Sequence, residues 1–144
     1  MKVLIDPNVI IDVLEEREPF YKDSYNVIRL GLENEIETIM SAADITNIYY
    51  VIRKSLKDAI AAREKIFILS NYLKICKATA EDITAAIILF IPDFEDAVVA
   101  AIAKREKADF IVSRNGSDFE NSPVPAISPA QFIGKYFPET NYPD

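Results

Sequence analysis

The pattern that most restricts this chain is the alternation of short apolar runs with helix-length segments. Residues 2–5, 36–40, 72–76, 109–112 and 124–127 are apolar runs of strand length, too short for helices. Between them the spacing predicts helices over 9–14, 20–33, a segment opened by Ser41, 56–70, 81–90, 93–107 and 129–136. Strands separated by helices return in the same direction, because a parallel crossover needs a long connection. The expected class is therefore α/β, a three-layer α/β/α arrangement with a mostly parallel central sheet. Residues 1–137 are expected to form a single domain, with a polar tail at 138–144 that frays.

Composition narrows the chemistry such a fold could carry. The 144 residues include no His, one Cys and three Gly. Without imidazole there is no Ser-His-Asp or Cys-His relay and no histidine ligand for zinc. One cysteine makes neither a disulfide nor a Cys-rich metal site. Gly31, Gly116 and Gly134 lie too far apart to form a phosphate-cradling loop. Carboxylates, hydroxyls, amides and a hard metal ion remain.

The net charge of −7 is unevenly distributed. Residues 53–77 hold seven basic and two acidic side chains, whereas 78–103 hold five acidic and no basic ones. The basic stretch reads either as a solvated face or as a surface for an anionic partner. No apolar run approaches the ~20 residues of a membrane span. Asp6 breaks the apolar start before a signal-peptide core could form, and the lone Cys76 suits a reducing compartment. A cytoplasmic protein that does not enter membranes is expected.

Ligand sites of open α/β sheets lie at the carboxyl ends of the strands. Asp6 directly follows the first strand, and Asn115 and Asp118 follow the fourth. Asp93, Glu95 and Asp96 open one helix; Asp44 and Asn47 stand one turn apart on another. Carboxylates gathered from these places repel one another and call for a cation, with Mg²⁺ or Mn²⁺ the natural choice for oxygen ligands. Such ions activate water and stabilise an in-line displacement at phosphorus. Each residue also has a plainer reading. Asp6 before Pro7 suits an N-cap, Asp93–Asp96 a helix start, Ser41 to Asp44 a capping box, and Asp118 a turn.

Four segments, in order, carry a resemblance. Val3-Leu4-Ile5-Asp6-Pro7-Asn8-Val9, Ser41-Ala42-Ala43-Asp44-Ile45-Thr46-Asn47, Asp93-Phe94-Glu95-Asp96-Ala97 and Ile111-Val112-Ser113-Arg114-Asn115-Gly116-Ser117-Asp118 resemble the motifs of PIN-domain proteins. Pro129-Ala130-Gln131-Phe132 is similar to the family's closing element. The likeness runs from residue 1 to about 135 and is closest in kind to VapC-like toxin ribonucleases of toxin–antitoxin systems.

The resemblance implies a metal-dependent ribonuclease in which Asp6, Asp96 and Asp118 hold Mg²⁺ or Mn²⁺ and Asp93 assists. It implies support from Asn8, Ser113 and Asn115. It further implies RNA as substrate, a small antitoxin as partner, and a homodimer. Arg53, Lys54, Lys57 and Arg114 are candidates for the RNA phosphates. One departure stands out: Asn47 occupies a position where the family usually has an acid. An amide supplies no charge, so Asp44 is a possible substitute, and the alternative is a weakened PIN domain that binds RNA or protein without cutting. A phosphatase of the haloacid-dehalogenase kind also begins with a strand and an Asp, but its second Asp is here Asn8.

Overall fold

The computed structural model describes residues 1–143. Five strands alternate with seven α-helices, in the order β1 (Lys2–Ile5), α1 (Pro7–Leu14), α2 (Tyr21–Leu32), β2 (Glu37–Ser41), α3 (Ala42–Leu56), α4 (Ala59–Tyr72), β3 (Lys74–Cys76), α5 (Ala80–Ile87), α6 (Phe94–Arg105), β4 (Phe110–Val112), a 3₁₀ turn (Gly116–Phe119), β5 (Ala126–Ile127) and α7 (Pro129–Tyr136). All strand pairings are parallel, and the spatial order is β3-β2-β1-β4-β5. The strand order reverses at β1, between β2 and β4, so the carboxyl ends of β1 and β4 flank the crevice where such sheets bind ligands.

The period-2 alternation of the strands divides the core in two. Val3 and Ile5 of β1 join one cluster with Met40, Val112, and residues of α1, α2, α3, α4 and α7. Leu4, Ile39 and Ile111 point the other way, into a cluster built mainly from Ala97 to Ala103 of α6. The small alanines let α6 lie close against the sheet. On the opposite face, Gly31 lets α2 approach Thr38; a β-carbon there would collide with the threonine side chain.

Several boundaries differ from those expected, each for a local reason. The helix expected at 56–70 starts at Ala59, because Lys57 takes a left-handed conformation (φ 56°) and Asp58 caps the next helix through Ile60 N and Ala61 N. The helix expected over 81–90 ends at Ile87, leaving Phe90 in the connection. The last strand contains only Ala126–Ile127. Ser41 accepts from Ala43 N rather than forming the expected capping box, which leaves the Asp44 carboxylate free for other contacts. In the tail, Tyr142 packs edge-on against Tyr21 and Tyr25, with ring centroids 5.6 and 5.3 Å away. Asp144, part of the tail expected to fray, lies outside the described residues.

Candidate active site

Asp6 sits at the junction of β1 and α1. Its backbone has N-cap geometry, but its side chain makes no capping hydrogen bond. The carboxylate is instead buried (6 % exposed) and accepts a 2.8 Å hydrogen bond from Ser113 Oγ at the end of β4. Ser113 Oγ also accepts from Asn8 Nδ2 (3.3 Å) and from the Asn115 backbone N (3.1 Å). One hydroxyl thus ties the first motif to the fourth. Burial pushes the Asp6 carboxyl up to about 6; the serine bond and the Arg114 charge oppose this, and the negative charges of Asp118 and Asp93 add to it.

Asp44 approaches the same point from the first turn of α3. It heads the buried face Asp44, Ile48, Ile52, while Asn47 lies on the exposed side of the helix. Asp44 Oδ2 is buried without a hydrogen-bond partner. Its pKa is raised to about 7, first by burial and then by Asp6, Glu95 and Asp96. The acid of the second motif that faces the others is therefore Asp44, one turn before the expected position. Asn47, three residues on, is exposed.

Asp96, in the first turn of α6, is raised to about 7 by burial and by Asp6, Asp93, Asp118 and Glu95. Asp93 Oδ1 accepts from Asp96 N at 3.1 Å, so Asp93 is an N-cap as well as a member of the acidic group. Asp118 stands exposed in the 3₁₀ turn after β4, and the Asn115 side chain is also exposed. The sheet thus brings Asp6, Asp44, Asp93, Asp96 and Asp118 within electrostatic reach of one another, together with Glu95.

The basic candidates fall elsewhere. Arg53, Lys54 and Lys57 line a shallow hollow at the far end of α3. Lys54 is ten residues beyond Asp44, about 15 Å along the helix axis. Arg114 differs from expectation more sharply. Its Nε donates to Asp12, which is fully buried in α1, and its guanidinium lies 4.2 Å from the Phe20 ring centroid. Its backbone N reaches Asn8 Oδ1 at 3.4 Å. The structure commits Arg114 to holding the β4 turn against α1. Asp12 belongs to none of the functional motifs, and the signal for it is a carboxylate inside the apolar run Val9–Leu14, which needs a buried cation partner.

The PIN-domain family model matches residues 2–117. The chain belongs to the PIN-domain family. This PIN domain is 30% identical over 140 residues to Ribonuclease VapC1 of Aquifex aeolicus, covering 94% of this chain and 95% of that protein. The same fold occurs in VapBC2 from Rickettsia felis bound to a DNA fragment from their promoter. There the TM-score is 0.70 and the identity 20%, over 89% of this chain and 98% of that one. It also occurs in VapC20 from Mycobacterium tuberculosis, a sarcin-ricin loop cleaving toxin. That match has a TM-score of 0.64 and 13% identity, over 81% of this chain and 92% of that one.

The donor set of this PIN domain suits a hard divalent ion in its chemistry. Every contributor is an oxygen, and the buried Asp44 Oδ2 has no partner of its own. Among the described residues no three of these side chains stand close enough to enclose an ion as they are. Asp96 is half-buried and Asp118 exposed, at the rim of the group.

Proposed function

We propose that this PIN domain is a divalent-metal-dependent endoribonuclease, using Mg²⁺ or Mn²⁺ to hydrolyse RNA phosphodiester bonds, and the toxin of a toxin–antitoxin pair. The observation that carries the reading is a pair of buried carboxylates, Asp6 and Asp44, neither of which forms a salt bridge among the described residues, with Asp44 Oδ2 left without a partner. The likeness to Ribonuclease VapC1 supports the activity. Asp6, Asp44, Asp96 and Asp118 would hold the metal. Once bound, a divalent ion supplies a water activated at neutral pH and stabilises charge on the attacking and leaving oxygens.

The chain's own residues do the rest. Ser113 and Asn8 fix the orientation of Asp6. Asp93 holds the first turn of α6 and so sets the direction of Asp96. Arg53, Lys54 and Lys57 offer cations to the backbone of an RNA lying along α3. The exposed Ile60, Phe67 and Ile68 of α4 suit a protein contact, consistent with an antitoxin or a second copy. The toxin–antitoxin assemblies among the structural relatives support a small protein partner. Among the described residues no helix is long and apolar enough to cross a membrane.

The weakened-site alternative drew its support from Asn47. In this reading Asp44, whose carboxyl feels the Asp6 charge, supplies the acid from the preceding turn. The test is Mn²⁺-dependent cleavage of a mixed single-stranded RNA pool by wild type, Asp6→Asn and Asp96→Asn. Cleavage by wild type alone is expected. Equal cleavage by all three would remove the assignment.

A further inference from the structure

Beside the acidic group the surface forms a cavity of about 390 Å³, walled by Phe90, Asp93, Asp96, Asp118, Glu120 and Asn121. Phe90 is 86 % exposed, more than any other large apolar side chain among the described residues. Its ring is left in water, yet its backbone is fixed. The helix α5 stops at Ile87, Asn121 Nδ2 donates to Phe90 O at 3.0 Å, and Pro92 leads directly into the Asp93 cap. An aromatic ring held at the rim of a polar cavity, next to carboxylates that the core motifs bring together, has the form of a stacking surface.

We infer that this cavity is a nucleobase subsite, with Phe90 stacking on the base that neighbours the scissile phosphate of a single-stranded RNA. The inference rests on the ribonuclease reading and deepens it. Asp96 and Asp118 are assigned to the metal that takes the scissile phosphate, so the part of the neighbouring nucleotide left for the wall of Phe90, Glu120 and Asn121 is its uncharged base. Every base presents a π-face, so stacking tolerates any sequence. The polar edge adds a preference. Glu120 offers acceptor oxygens, and Asn121, with one Nδ2–H given to Phe90 O, offers Oδ1 and its second N–H. Acceptors favour bases with exocyclic amino groups, adenine, cytosine and guanine, over uracil. The competing occupant is a protein, because Ile87 and Ile88 are also exposed, at 68 % and 76 %. What favours a base is that Phe90 shares a wall with Asp93, Asp96 and Asp118.

The chain has no tryptophan, so Phe90→Trp introduces a unique fluorophore. Rapid mixing of that variant with a short single-stranded RNA and Mn²⁺ should quench the indole emission before cleavage. Copies of the RNA with an abasic ribose at each position in turn should lose the quenching at one position beside the cut. Phe90→Ala should raise KM about tenfold with little change in kcat, and Phe90→Leu, apolar without a ring, should do the same. Phe90→Tyr should behave as wild type. RNA that binds by anisotropy without quenching, or a Phe90→Leu variant with wild-type KM, would overturn the subsite while leaving the nuclease intact. So would a change of mass in gel filtration with unchanged RNA kinetics, which would assign the patch to a protein. A wild type that neither binds nor cuts RNA would remove the ribonuclease reading, and the subsite with it.

Discussion

Two buried aspartates in this fold have similar burial and opposite electrostatics. At the seam of α5 and α6, Asp82 is 3 % exposed and meets Arg105 Nε at 2.8 Å. It also accepts from Thr79 N at 2.8 Å. Burial pushes it up, but the guanidinium and the threonine outweigh burial and hold its carboxyl below the usual range. At the mouth of the sheet, Asp44 is 5 % exposed, has no cation, and is pushed up to about 7. Asp12 stands between them: Arg114 is bonded to one oxygen, the other has no partner, and burial leaves its pKa raised. A buried carboxylate with its own guanidinium fastens two elements together. One without a cation is a stored charge, kept by the fold at a cost to stability. The acids suited to metal chemistry are thus separated from the structural ones by where the fold has placed its arginines.

The largest expected effect tests which acid of α3 belongs to the reacting group. Asp44→Asn should lower Mn²⁺-dependent RNA cleavage by about 10³-fold, since removing a ligand forfeits several kcal/mol of transition-state stabilisation. Asn47→Ala should stay within about threefold of wild type, because the amide is exposed and supplies no charge. Comparable losses in the two variants would contradict the placement of Asp44. Initial rates on one RNA under single-turnover conditions decide it.

Stability should move in opposite directions at the two aspartates. Arg105→Ala leaves Asp82 buried without its cation and also strips the bonds from Arg105 to Glu106 and to Lys77 O. A loss of about 3 kcal/mol is expected, or about 10 °C in Tm. Asp44→Asn removes a charge that has no partner, so in EDTA at pH 8 it should raise Tm by about 5 °C. A drop in Tm for Asp44→Asn under those conditions would mean that Asp44 is already compensated.

Much of this division was readable along the chain. Strand length, helix length and the position of Asp6 and Ser113 at strand ends follow from apolar periodicity, and the sheet adopted the parallel order that alternation implies. Placing the second-motif acid required knowing which side of α3 packs inward. Sequence spacing puts Asp44 and Asn47 one turn apart, and only the packing of Ile48 and Ile52 selects the side that carries Asp44. Arg114 illustrates the converse limit. Beside Ser113 and Asn115 it looked like a hand extended to RNA. Its real partner is Asp12, 102 residues earlier, brought close by the β1–β4 pairing. Long-range ion pairs leave little local signature. A lone acid in an apolar run is the one trace they leave.

The smallest expected effect is on the pH dependence of the metal-free protein, and its sign discriminates most clearly between the two kinds of carboxylate. Asp6 is raised to about 6, and Asp44 and Asp96 to about 7, from an ordinary value of 3.8. As pH rises, the unfolded chain gives up these protons first. The stability contributed by the protonated groups is therefore complete below about pH 4 and is lost progressively up to about pH 7. Asp82, held low, acts in the reverse sense: its contribution is present above about pH 4 and disappears as pH falls further. In EDTA, Tm should fall between pH 5 and pH 8. A divalent ion competes with the protons for the same oxygens, so Mn²⁺ at about 100 times its Kd should add roughly 2.7 kcal/mol at pH 8 and little at pH 5. Thermal melts across this range, with and without Mn²⁺, measure both slopes. A Tm that climbs with pH in EDTA, or a Mn²⁺ effect independent of pH, would show that these three acids are not the unpaired group the structure makes them.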